Sequence, residues 1–163
     1  MKFDRRAVFS WCSYDWANSA FTTLVVTFIY STYFSDAFAA NADRGTVLWS
    51  RGIVISAILI AVLSPILGAV ADQSGRRRRY LVVSTLVCSF FTVLLAFMAP
   101  GTEGAAFRAL TVFIIANVAF EVAKVFYNAF LPAVAPRDMI GRVSGWGWAL
   151  GYIGGLVAMA IAL

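Results

Sequence analysis

The sequence predicts an all-α membrane protein, on three observations. Of its 163 residues 61% are hydrophobic and 13% charged, against about half and about a quarter in an ordinary soluble domain. A chain of this size folded in water could not hide so much apolar surface. The apolar residues also come in unbroken runs long enough to cross a bilayer, roughly 20 residues for about 30 Å of hydrocarbon. They lack the residue-by-residue alternation of a membrane β-barrel. Finally, the basic residues lie between these runs, Lys124 apart.

Five spans are expected, over residues 16–34, 52–71, 80–99, 110–131 and 143–163. The first follows the basic start Met1-Lys2-Phe3-Asp4-Arg5-Arg6. Trp11, Asp15, Trp16 and Asn18 interrupt the apolar region there, which reads as the start of a mature span, not a cleavable signal peptide. The second carries no charge; Pro65 within it predicts a kink whose freed carbonyl is met by a neighbour. The third contains Cys88, which reads as a small packing residue, and ends at the turn signal Pro100-Gly101. Pro132 ends the fourth. The fifth is still apolar at Leu163. An odd number of spans, the last ending flush, is expected of an N-terminal transmembrane bundle (1–163) cut from a longer one.

Loop charge predicts orientation. With the N-terminus inside, Lys2, Arg5, Arg6, Arg76, Arg77, Arg78, Arg79, Arg137 and Arg142 are cytoplasmic, and Arg44, Arg51 and Arg108 lie opposite. This obeys the positive-inside rule, and the inverted topology would break it. The net charge of +5 therefore reports topology and contact with anionic headgroups, not nucleic-acid binding. Trp11, Trp16, Trp146, Trp148, Tyr30 and Tyr33 fall near the expected interfaces and read as aromatic-belt anchors.

Catalytic chemistry is poorly provided for. The chain has no His, which removes the commonest general base and metal ligand. Cys12 and Cys88 have neither metal nor disulfide spacing. No phosphate-cradling glycine loop is present, and no Ser or Cys stands beside a plausible base. No metal, cofactor or enzymatic activity is expected.

The loop between the second and third spans is more specific. It reads Gly68-Ala-Val-Ala-Asp72-Gln-Ser-Gly75-Arg76-Arg77. Gly68 admits a close neighbouring helix, Asp72 can cap a helix end or face a helix N-terminus, and Gly75 supplies the turn. Two further stretches stand out: Ser10-Trp11-Cys12-Ser13-Tyr14-Asp15-Trp16-Ala17-Asn18-Ser19, and Asn128-Ala-Phe-Leu-Pro132 followed by Ile140-Gly-Arg-Val-Ser-Gly-Trp-Gly-Trp-Ala-Leu-Gly151-Tyr-Ile-Gly-Gly155.

The spacing Gly68, Asp72, Gly75, Arg76, Arg77 resembles the signature loop of the major facilitator superfamily, with Gln73 where a basic residue usually follows the Asp. The other two stretches are similar to its vacuole-effluxer (autophagy-related permease) branch and the bacterial relatives. That resemblance implies a helical bundle of about twelve spans, of which this chain holds about five. It implies the loop acting as a conformational latch between two halves, and a secondary transporter of a small solute. Amino-acid export from the vacuole is associated with eukaryotic members; the bacterial ones are mostly unassigned permeases of the plasma membrane.

Polar residues inside the spans are the candidates for a site. Asn117, Glu121, Lys124 and Asn128 step by four, three and four, which puts them on one face of the fourth span. A charge near mid-span costs about 2.5–3.5 kcal/mol on insertion scales and normally faces a bundle interior or a wet cavity. The Glu121–Lys124 pair is open to two readings: an internal ion pair that only fixes packing, or a cavity-lining pair that binds substrate or carries a coupling proton. A proton is the favoured coupling ion because Glu121 is the carboxylate well inside a span. In the first span Asp15, Asn18 and Thr22 share a face, Asp15 near the cytoplasmic edge where simple solvation explains it. The resemblance implies that the first and fourth spans line a central cavity, with Asn18, Thr22, Asn117 and Glu121 in it.

Gly147, Gly151 and Gly155 step by four along the fifth span and allow close helix contact. The resemblance places them against a helix of the missing C-terminal half; without it they are expected to face lipid and leave the chain poorly stable. The competing functional class is a non-transporting assembly or regulatory subunit, docked on a partner subunit through the same glycines.

Overall fold

The computed structural model describes residues 4–163, with the side chains of Ala71, Asp72 and Ser74 outside the described set. The expectations placed on Lys2 and on the Asp72 carboxylate fall outside the described residues. The chain is helical, in the order α1 (Arg5–Ala20), a π-helical stretch (Phe21–Phe28), α2 (Ile29–Ala37), α3 (Ala42–Ser74), α4 (Arg77–Leu95), α5 (Ala105–Ala129), the short α6 (Leu131–Val134) and α7 (Ile140–Ala162). No strand occurs among the described residues.

Local chemistry sets most of the boundaries. Asp4 caps α1, its Oδ1 accepting from Arg6 N at 2.9 Å, and Asn41 caps α3 by accepting from Arg44 N at 2.9 Å. α3 runs unbroken through Pro65 and ends at Gly75, whose φ of 62° is left-handed; glycine adopts that conformation without the Cβ penalty. α5 gives way at Ala129 to the one-turn α6, where Pro132 has no N–H to continue the ladder.

Among the described residues, four helices are long and apolar enough to cross a membrane: Ala42–Val70, Arg77–Leu95, Ala105–Val134 and Ile140–Ala162, with mean hydropathy of 1.4 to 2.7. One expected boundary needs correction. The third span was expected to reach residue 99, but α4 ends at Leu95 and three-residue turns follow, from Ala96 N to Val93 O through Met98 N to Leu95 O. The approaching Pro100 restricts the backbone before it. The first span lies within one unbroken run of helical backbone over 5–37, formed by α1, the π-helical stretch and α2 in succession. Ser19 Oγ donates to Asp15 O at 2.8 Å and Thr22 Oγ1 to Ser19 O at 3.0 Å. Hydroxyls that bond back to the helix's own carbonyls compete with the regular ladder, and they do so where the helix widens.

The chain divides into two compact units, Met1–Ile29 with Tyr127–Leu163, and Tyr30–Phe126. In the second, Trp49 packs on Phe113 with ring centroids 4.0 Å apart and on Phe34 at 5.3 Å. The Ser35 backbone lies directly against Gly45, and Leu110 and Phe113 lie against Gly52. Nearer the loop, Val122 and Phe126 form a core with Leu67, Tyr80, Leu81 and Val118. Cys88 is buried, as a packing residue should be. At Gly68 an added Cβ meets no described atom outside its own helix within 4 Å. Tyr30 is no simple interfacial anchor, because its ring packs beside Trp49 and its hydroxyl is buried.

The first unit is a seam between α1 and α7. A Cβ at Gly147 would strike the Trp11 ring, one at Gly151 the Asp15 carboxylate, one at Gly154 the Trp16 backbone and one at Gly155 the Thr23 hydroxyl. The glycine ladder therefore has its partner helix within this chain. The expected exposure of these glycines to lipid is corrected: small residues announce that a helix comes close, and here that helix is α1.

Candidate functional site

Each unit holds a cluster of polar side chains. In the second unit, Lys124 Nζ lies 3.2 Å from Glu121 Oε1, one helical turn apart on α5. The two side chains are 42% and 32% exposed. Lys124 also stands 5.5 Å from the centroid of the Phe120 ring, within cation–π range. Asn117, one turn before Glu121, is 8% exposed. Half of the apolar window containing these residues is buried inside the structure, the highest share of the four membrane-length helices. The structure thus joins Glu121 to Lys124 with Asn117 beneath them. Asn128 is exposed and belongs to the first unit.

In the first unit the polar row facing α7 is Asp15, Ser19 and Thr23, a different row from the Asp15, Asn18 and Thr22 face read as a cavity lining. Thr22 uses its hydroxyl on Ser19 O, and Asn18 is half-buried without lying against a ladder glycine. The signal that could have found the true row was available: Asp15, Ser19 and Thr23 step by four, in register with Gly147, Gly151 and Gly155.

Trp11 departs from its expected place at an interface, and Tyr127 is its partner. Trp11 is 7% exposed and Tyr127 5%. Their rings stack at 4.3 Å with an interplanar angle of 10°, and Tyr14 stacks on the Tyr127 ring at 5.2 Å. Trp11 Nε1 donates to Tyr127 O at 3.1 Å. Trp11 is therefore a buried keystone of the α1 contact, not an interfacial anchor, because its one polar atom finds a backbone acceptor. Trp11→Phe keeps a ring in the stack but loses that bond. Tyr127 O still accepts from Phe130 N, so no carbonyl is orphaned. We expect a loss of about 2 kcal/mol, measured as a lower midpoint of denaturation in detergent.

Apolar helices of membrane length, with a charge pair and buried polar atoms within them, define a multi-pass integral membrane protein. The family model described as vacuole effluxer Atg22 like matches residues 47–141, and the chain belongs to that family. Its fold is accordingly a partial helical bundle of the major facilitator type. It is 35% identical over 159 residues to an uncharacterized MFS-type transporter, YxiO, of Bacillus subtilis (strain 168), an alignment covering 94% of this chain and 36% of the relative. It is 26% identical over 137 residues to an uncharacterized protein of Aquifex aeolicus (strain VF5), covering 84% of this chain and 34% of that one. The chain spans about a third of the length of these curated relatives. No solved structure matches it.

Proposed function

We propose that the chain is the part of a secondary transporter that carries a charged solute-binding pair, moving a small zwitterion such as an amino acid by alternating access. The observation that carries this reading is the Glu121–Lys124 pair at 3.2 Å within an apolar, membrane-length helix. A zwitterion has one ammonium and one carboxylate. The ammonium complements Glu121, the carboxylate complements Lys124, and a solute entering between them exchanges one ion pair for two. Buried Asn117 adds an amide with donors and an acceptor. The family's membership in a transporter superfamily supports the same reading, as does the MFS-type relative at 35% identity.

In this reading the N-terminus is cytoplasmic, in line with the distribution of Arg and Lys over the loops, and the membrane is the plasma membrane in a bacterial cell. The loop from Gly68 through Asp72 and Gly75 to Arg76 and Arg77 serves as the conformational latch. Transport is gradient-driven, with the site reached alternately from each side.

The test is uptake by proteoliposomes containing the native-length protein. A panel of radiolabelled amino acids is offered with and without an imposed pH gradient. Accumulation of at least one of them above protein-free liposomes is the expected result. Uptake indistinguishable from protein-free liposomes across zwitterions, cations and anions would overturn the proposal.

A further inference from the structure

Along one row of α7 the glycines meet oxygen atoms. An added Cβ at Gly147 would lie 3.2 Å from the Tyr127 hydroxyl; at Gly151, 2.5 Å from Asp15 Oδ2 and 2.9 Å from Ser19 Oγ; at Gly155, 2.5 Å from Thr23 Oγ1. Four residues at a rise of about 1.5 Å separate successive positions by about 6 Å. The phenol, the carboxylate and the two hydroxyls therefore form a file about 12 Å long. Tight helix packing alone would be served as well by apolar side chains and backbone.

An independent observation points to something that visits this file. The Tyr127 hydroxyl is buried and has no hydrogen-bond partner in the structure, on a residue 5% exposed. A buried hydroxyl left unpaired costs about 1–3 kcal/mol. Phenylalanine would keep the stack with Trp11 and Tyr14 and avoid that cost. A phenol aimed into the glycine row makes sense if a partner comes and goes.

We propose that Asp15 is a proton-binding carboxylate of this protein, and that Tyr127, Ser19 and Thr23 form with it a proton path along the glycine row of α7. A proton fits where other cations do not. The side-chain oxygens already stand within van der Waals distance of the α7 backbone, which leaves no room for a hydrated metal ion or an ammonium group. Proton transfer needs only oxygens that donate and accept in turn. A proton from the aqueous phase forms an O–H bond to the Asp15 carboxylate, and the resulting acid donates to a neighbouring oxygen of the file. Release on the other side breaks that O–H bond and restores the carboxylate. Ser19 donates to Asp15 O and can accept from protonated Asp15; to pass a proton onward its own O–H turns from that carbonyl to the next oxygen of the file.

The surroundings suit the role. From α1 itself the ionisable neighbours are Cys12 and Tyr14, and from α5 comes Tyr127, whose ring stacks on those of Trp11 and Tyr14. The π-helical stretch and α6 carry no titratable residue. From α7 the row itself is glycine; Arg142 stands over the Trp146 ring at 5.7 Å, and Tyr152 is 69% exposed. No lysine or arginine of α7 faces Asp15 from the glycine row. The proposal rests on the transporter reading only for what the proton drives.

Proton binding can be read without any substrate, by infrared difference spectroscopy between neutral and mildly acid pH on the full chain in lipid vesicles. A carboxylic-acid carbonyl band is expected that D15N abolishes and E121Q leaves in place. Tyr127→Phe removes the unpartnered hydroxyl and keeps the ring, so it is expected to fold, and to shift the band and its pH midpoint. A band that survives D15N, or one abolished by E121Q, would overturn the role of Asp15. Identical spectra for Tyr127→Phe and the parent would remove Tyr127 from the path. The D15N-sensitive band together with no uptake above protein-free liposomes, with or without a pH gradient, would leave the proton site standing and sink the transporter reading instead.

Discussion

Replacing Gly154 by valine is expected to destabilise the protein by roughly 3 kcal/mol or more, at or above the upper end of ordinary overpacking. The reason is what the new atoms meet. A Cβ at Gly154 would overlap the Trp16 carbonyl oxygen and stand 2.8 Å from its carbonyl carbon and 3.0 Å from its Cα. Those are backbone atoms of α1, so relief requires moving the whole helix. At Gly151 the obstacle is the end of the Asp15 side chain, and at Gly147 the edge of the Trp11 ring; both yield more readily. Gly141 and Gly145 lie on the same helix with nothing within 4 Å of an added Cβ. Gly145→Ala should therefore be neutral or stabilising by up to about 1 kcal/mol, through helix propensity. Denaturation in detergent micelles followed by circular dichroism reads both. If Gly154→Val were as stable as Gly145→Ala, the α1–α7 seam as described would be wrong.

Replacing either Glu121 or Lys124 by leucine is expected to reduce uptake by at least about tenfold, roughly 1.4 kcal/mol in transition-state terms. A single substitution leaves one charge in the span without its counter-ion, at about 2.5–3.5 kcal/mol on insertion scales. Each single variant should also reach the membrane less well. The double variant, Glu121→Leu with Lys124→Leu, separates the two roles. Removing both charges restores an apolar helix, so insertion should recover, measured as protein in the membrane fraction. Uptake per inserted molecule should stay low, because both solute contacts are gone. Parental uptake by the double variant would show that the pair only fixes helix packing.

Several features were legible residue by residue. Gly75 between the second and third spans reads as a left-handed turn and is one. Glu121 and Lys124, three apart in an apolar run, read as a pair and lie 3.2 Å apart. Pro132 reads as the end of a helix, and α5 stops just before it. Each of these depends on a residue and its near neighbours in the chain.

What failed did so at longer range. The glycine ladder announced a close helix without identifying α1 as that helix, because small residues make room without specifying what fills it. In the first span the face shared by Asp15, Asn18 and Thr22 reads as a cavity lining, and no row is named for a helix contact. The row that meets α7 begins at Asp15 and continues through Ser19 and Thr23, since an α-helix offers several faces and only the docked partner selects one. Tyr127 carries no local signal of its contact with Trp11, which lies more than a hundred residues away in the chain.

By itself, then, the sequence determined that this protein is a helical bundle in a membrane, where its helices break, and which charges must pair. Solvent and backbone geometry act on each segment alone and leave a local signature. Only the tertiary structure decided that α1 lies in the glycine groove of α7 and brings Asp15, Ser19, Thr23 and the Tyr127 hydroxyl into one file. That choice depends on the fit of two surfaces more than a hundred residues apart in the chain, as with Trp11 and Tyr127. Close packing rewards such a fit only once both surfaces exist.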